Sequence, residues 1–138
     1  MAKVQVAMAL TIDGFLPPSN YCLIQWIKNN REGFTYWRER ATIPLFPRYP
    51  LIDLILDKDN GNNTCVYFAE VTDIDGLELL QGLSLYRLID EIILYRLPIT
   101  RNENSHSPIN FPSRDWSITK TKTYKNGICR TIYHRISG

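Results

Sequence analysis

Two Asp-Gly pairs, Asp13-Gly14 and Asp75-Gly76, sit where this chain could do chemistry. Asp75-Gly76 opens a stretch in which Leu79, Leu80 and Leu83 recur at helical spacing, which predicts a helix running to about Leu88. The first amide N–H groups of a helix have no partner within it and carry a partial positive charge, which suits a pyrophosphate. The neighbouring residue types oppose that use. Glu78 lies one turn in, and a carboxylate within ~4–6 Å of a phosphate is a like-charge clash. Asp75 itself is a good N-cap and is expected to fill the site an anion would take. Asp13-Gly14 follows a strand-like run. On its own it reads as a turn, with Asp13 capping and Gly14 supplying a φ that other residues avoid.

Few other residues offer chemistry. His106 and His134 have no Cys or acid at ligand spacing, so no metal site is expected. Asp57, Asp59 and Asn60 crudely resemble a calcium loop but lack its final bidentate Glu, so a solvated turn is expected. There is no Gly-x-Ser-x-Gly and no phosphate-binding P-loop. Trp26, Tyr36 and Trp37 cluster in one helical region. Core packing explains them, although a flat heterocycle would stack on Trp26 and Trp37. Arg31, Arg38 and Arg40 suit an anionic substrate tail or a solvated helix face equally well.

The elements that would position these residues fit one domain spanning 1–138. A net charge of +2 argues against nucleic acid or an anionic membrane as partner. No run is long and apolar enough to span a bilayer, and no signal peptide is apparent. Cys22, Cys65 and Cys129 are odd in number and widely spaced, which predicts free thiols in a reducing, cytoplasmic setting.

Val4, Val6, Met8 and Leu10 alternate with small or polar residues. This predicts a strand covered on both sides. Tyr21 to Ala41 reads as a helix capped by Ser19 or Asn20 and broken near Asn29 to Gly33. Leu23, Ile24, Ile27, Phe34, Trp37 and Ala41 would share one face. A Pro-rich connector follows, then a short strand over Leu51 to Leu56 and a turn at Asp57 to Asn63, where Asn60-Gly61 suits positive φ. Thr64 to Val71 and Glu91 to Leu97 read as strands. Arg101 to Ser113 is a polar loop, and Trp116–Tyr124 and Ile128–Ile136 form a hairpin about Asn126-Gly127.

Two stretches, Lys3 to Pro17 (KVQVAMALTIDGFLP) and Gly76 to Pro98 (GLELLQGLSLYRLIDEIILYRLP), resemble the dihydrofolate-reductase-like superfamily, in its riboflavin-biosynthesis reductase branch. Arg87-Leu88-Ile89-Asp90-Glu91 stands where that family has Gly-Leu-Val-Asp-Glu. The resemblance implies an α/β fold, with a central mixed sheet flanked by helices and a closing antiparallel hairpin. It also implies NADPH as cofactor and a pteridine or ribosylaminopyrimidine as substrate. Asp13 would be the catalytic polar group and contact substrate, with Trp26 and Trp37 as pocket walls. Ala9, Thr11 and Gly14 would lie near the nicotinamide, and Gly76 and Leu77 near the pyrophosphate. Homodimers are common in such proteins, and Ile128 to Ile136 would supply a pairing edge here. The family's additional strand-turn-helix unit has no counterpart legible between Ala41 and Thr64. Three functions follow: an NADPH-dependent reductase, a reductase-fold remnant that binds a ligand or protein without the cofactor, or a purely structural or interaction protein on this scaffold.

Overall fold

In a computed structural model, residues 2–102 and 114–136 are described. His106 and most of the polar loop expected over Arg101 to Ser113 lie outside them. Ten elements follow in the order β1 (Lys3–Leu10), α1 (Ile24–Asn29), α2 (Phe34–Arg40), β2 (Ile43–Pro44), α3 (Leu51–Asp59), β3 (Val66–Val71), α4 (Ile74–Leu85), β4 (Glu91–Arg96), β5 (Trp116–Thr123) and β6 (Cys129–Arg135). The strands form one mixed sheet in the order β2-β3-β1-β4-β6-β5. β1 pairs in parallel with β3 and β4, and the hairpin adds β6 and β5 antiparallel to β4.

The two faces of β1 explain its central place. Val4, Val6, Met8 and Leu10 pack into one core with α3 and α4, through Leu54, Leu79, Leu80 and Leu83. Ala7 and Ala9 face the other way, where their small size lets α1 and α2 bring Ile24, Ile27 and Phe34 close to the sheet. Leu23, Trp26, Trp37 and Ala41 pack against that second core, as helical spacing predicts. The helix does break between Asn29 and Phe34. A Cβ on Gly33 would lie 2.2 Å from the Ile27 carbonyl oxygen, so only glycine lets the chain turn back there. The first helix starts later than expected, with Leu23 rather than Ser19 or Asn20 at the N-cap and no side-chain cap.

The region between α2 and β3 departs most from expectation. Leu51 to Leu56 is not a strand but the first two-thirds of α3. Leu51, Leu54, Ile55 and Lys58 turn inward at three- and four-residue steps, while Ile52 and Leu56 remain exposed. Ahead of α3, β2 pairs in parallel with β3. The strand-turn-helix unit that looked missing is therefore present in compressed form. Its turn contains no glycine, and Arg48 takes a positive φ of 72° within it. Gly61 does not adopt the positive φ expected of it; Gly14 and Gly127 do.

Asp90 and Glu91 are both tucked in. Asp90 is 6% exposed. Its Oδ2 accepts from the Val4 amide at 2.8 Å and from Lys58 Nζ at 2.5 Å, and Arg135 Nε donates to Oδ1 at 2.7 Å. One carboxylate thus joins β1, α3, β6 and the start of β4. β6, expected as a dimer edge, is flanked by β4 and β5; the edges of the sheet are β2 and β5.

Candidate functional site

Where β1 and β3 end, their chains diverge and leave a cleft of about 450 Å³. Open α/β sheets bind ligands in this place, outside the carboxyl ends of their strands. Phe15, Leu16 and Pro17 form one wall as the chain leaves β1, and Thr72 to Asp75 with Leu77 form the other at the start of α4. Arg101 closes one side and donates from Nη1 to the Leu16 carbonyl at 2.6 Å. The site has an apolar floor, two carboxylates on one rim and a guanidinium on the other.

Asp13 lies behind this cleft and is held by its neighbours. Its Oδ1 accepts from the Thr11 hydroxyl at 2.5 Å. The amides of Arg101 and Asn102 donate to the same carboxylate, at 3.1 and 3.2 Å for the first and 2.8 Å for the second. The Thr11 hydroxyl and then these amides bring its pKa down to about 2 against the opposing effect of burial, so the group is a carboxylate at neutral pH. Gly14 takes a φ of 87° in the turn. Asp13 therefore clasps the exit of β1 to the segment that follows β4. That segment already approaches β1 through the Ile12 amide, which donates to the Ile99 carbonyl at 2.8 Å.

The start of α4 is also occupied. Its N-cap is Asp73, not Asp75; Asp73 Oδ1 accepts from the Gly76 amide at 2.8 Å. Asp75 sits in the first turn and lines the cleft. Gly76 is buried against β3. A Cβ there would meet the Val71 Cα at 3.0 Å and the Glu70 carbonyl oxygen at 3.2 Å, so the glycine permits close helix–strand packing.

Of the residues singled out from sequence for chemistry, Asp75 and Leu77 line this cleft. Ala9 and Thr11 are fully buried, Ala9 in the second core on the other face of the sheet. Trp26 and Trp37 belong to the other core. Trp26 meets Tyr124 edge-on with ring centres 5.0 Å apart, and Trp37 Nε1 donates to the Tyr95 hydroxyl at 3.0 Å. Asp73 and Arg101 were missed by the sequence reading. Asp73 stands three residues before Gly76, the spacing of a capping residue from the amide it receives, and that signal was available.

No family model and no curated protein matches the sequence. Solved structures do match. A riboflavin biosynthesis protein from Shewanella sp. PV-4 superposes with a TM-score of 0.52 at 16% identity, over 98% of this chain and 99% of that one. The Saccharomyces cerevisiae riboflavin biosynthesis reductase Rib7 gives 0.54 at 10% identity, over 98% and 89%. The chain has the fold of the riboflavin-biosynthesis reductases. Acinetobacter baumannii RibD gives 0.50 at 15% identity, over 99% of this chain and 59% of that one. Identities this low establish the riboflavin-reductase fold and leave function to the site itself.

The resemblance implies a dinucleotide cofactor, and the start of α4 is where its pyrophosphate would lie. A pyrophosphate at α4 would need the amide that Asp73 already receives, and would sit among the carboxylates of Asp73 and Asp75. The space a Cβ would take at Gly76 is filled by strand backbone, not open to a ligand. These residues do not fit a pyrophosphate. Among the described residues no group of His, Cys, Asp and Glu is placed to hold a metal ion, and no helix is long and apolar enough to cross a membrane.

Proposed function

We propose that this chain is a reductase-fold domain that binds a small heterocycle in the cleft between Phe15–Ser19 and Thr72–Leu77, without a dinucleotide. The bond from the Gly76 amide to the Asp73 carboxylate carries this reading, because it takes the one contact a cofactor pyrophosphate most needs. A volume of about 450 Å³ suits a single ring system with a short substituent. Phe15, Leu16 and Leu77 offer apolar walls to the ring faces, while Asp73 and Asp75 accept from ring N–H or amino groups. A pteridine or aminopyrimidine has that pattern of donors. The free thiols of Cys22, Cys65 and Cys129 suit a reducing compartment such as the cytoplasm.

A second reading keeps the NADPH-dependent reductase. It is favoured by the overall likeness to riboflavin reductases and by the Asp13-Gly14 turn at the exit of β1. Thermal-shift and calorimetric titrations of the whole chain with NADPH, and separately with pteridines and aminopyrimidines, divide the two. A heterocycle that binds at micromolar strength with NADPH silent at about 1 mM supports the ligand-binding domain. Micromolar NADPH binding overturns it in favour of the reductase.

A further inference from the structure

We propose that a second cleft, between α2 and the β5–β6 hairpin, is a binding site for a small phosphorylated ligand. Its volume is about 590 Å³. Helix α1 packs against the hairpin through Trp26 and Tyr124, and the gap opens beyond that contact, between α2 and the outer part of β5–β6.

The charge in this gap is lopsided. Arg31, Arg40, Lys120, Lys122 and Arg130 line it, against the carboxylates of Glu32 and Glu39 alone. That surplus exceeds the net charge of +2 on the entire chain. Glu32 is already engaged by Lys122 at 2.8 Å. Arg38, the third arginine of the same helical region, is not part of the site; its Nε and Nη2 both donate to the Glu70 carboxylate at 2.8 Å.

The hairpin holds these cations against their mutual repulsion. Lys122 is the direct cross-strand partner of Arg130, and Lys120 is the partner of Ile132, two residues along on the same face. Like charges directly opposite one another destabilise a strand pair. An anion bound between them removes that cost and gains charge-assisted hydrogen bonds.

Arg130 gives an independent sign. Its Nη1 donates to the Tyr124 hydroxyl at 3.2 Å, but its Nε is fully buried with no partner. A buried guanidinium N–H without an acceptor is expensive and calls for an explanation. Arg40 is likewise set in place, with its guanidinium 3.6 Å above the Tyr36 ring and Nη1 donating to the Tyr36 carbonyl at 2.7 Å. A phosphate group, with several acceptor oxygens and up to two negative charges, answers the charge of the gap, and binding to the outer nitrogens of Arg130 offsets the cost of its buried Nε. This inference does not depend on the cleft beside α4, which lies against the other core.

The test is calorimetric titration of the full chain with inorganic pyrophosphate, with Trp37 fluorescence as a second readout inside the site. The expected result is saturable binding, weakened about ten- to a hundredfold in Arg130→Gln and unchanged in Lys125→Gln, which removes an exposed hairpin cation outside the cleft. Lys120→Gln removes a charge from an exposed position and should also weaken binding even if Arg130→Gln fails to fold. Absence of binding at about 10 mM pyrophosphate, or equal affinity in wild type and Lys120→Gln, overturns the proposal.

Discussion

The Asp73 carboxylate and the Gly76 amide are joined at 2.8 Å, and this contact closes the helix end that a cofactor phosphate would otherwise occupy. The expected outcome of Asp73→Ser with Asp75→Asn is a start of α4 that is still capped but free of negative charge. NADPH affinity, measured by calorimetry, should rise at least about tenfold, since each removed like-charge contact near a helix terminus contributes roughly a kcal/mol. Asp73→Ala alone should lower stability by about 1 kcal/mol in urea unfolding, as loss of an N-cap does.

Asp13 should leave an acid signature. Its pKa is lowered in the folded chain to about 2 from an ordinary value of 3.8. Its contribution to stability is therefore complete above pH 3.8 and lost as pH falls through 2. Asp13→Asn should melt below wild type at neutral pH, and the gap should close towards pH 2. Melting curves across that range check it; a gap that stays constant would show that the carboxylate charge does nothing.

Removing the Asp90 carboxylate should be more damaging. Asp90→Ala strands Lys58, the Val4 amide and Arg135 in a largely buried position. The expected cost is about 3–5 kcal/mol, read from the denaturant midpoint. Lys58→Met, which removes one cation and keeps its apolar stem, should cost clearly less.

Gly33→Ala should be destabilising by about 1–3 kcal/mol, because the new methyl cannot clear the Ile27 carbonyl without shifting α1 against α2. Hydrogen exchange should show faster opening in residues 24–40 and little change in β4.

Sequence alone showed the parts of this fold whose residues obey one period. β1 was legible because large residues on one face and alanines on the other left both sides to be covered. The hairpin was legible through Asn126-Gly127, and the break in the first helical region through Gly33. α3 was misread because Ile52 and Leu56, both exposed, filled gaps in its pattern and made it look like a continuous apolar run. Its inward face includes Lys58, whose reason for turning inward is Asp90, thirty-two residues away. The site was legible as a turn and a helix start. Its rim was not, because Arg101 reaches it only after β4 has returned beside β1.

The two sheet edges have a consequence for how copies of this chain meet. β2 is only two residues long and ends in Pro44, which has no amide hydrogen to offer a neighbour. β5 is eight residues long but carries Lys120 and Lys122 and an irregular step between Ile118 and Lys120. Short length, proline, lysine and local twist each discourage an added strand. Both edges of the sheet therefore resist fibril-like stacking and strand-to-strand pairing. Among the described residues, a face of the sheet or its helices is thus better suited than an edge to contact between copies.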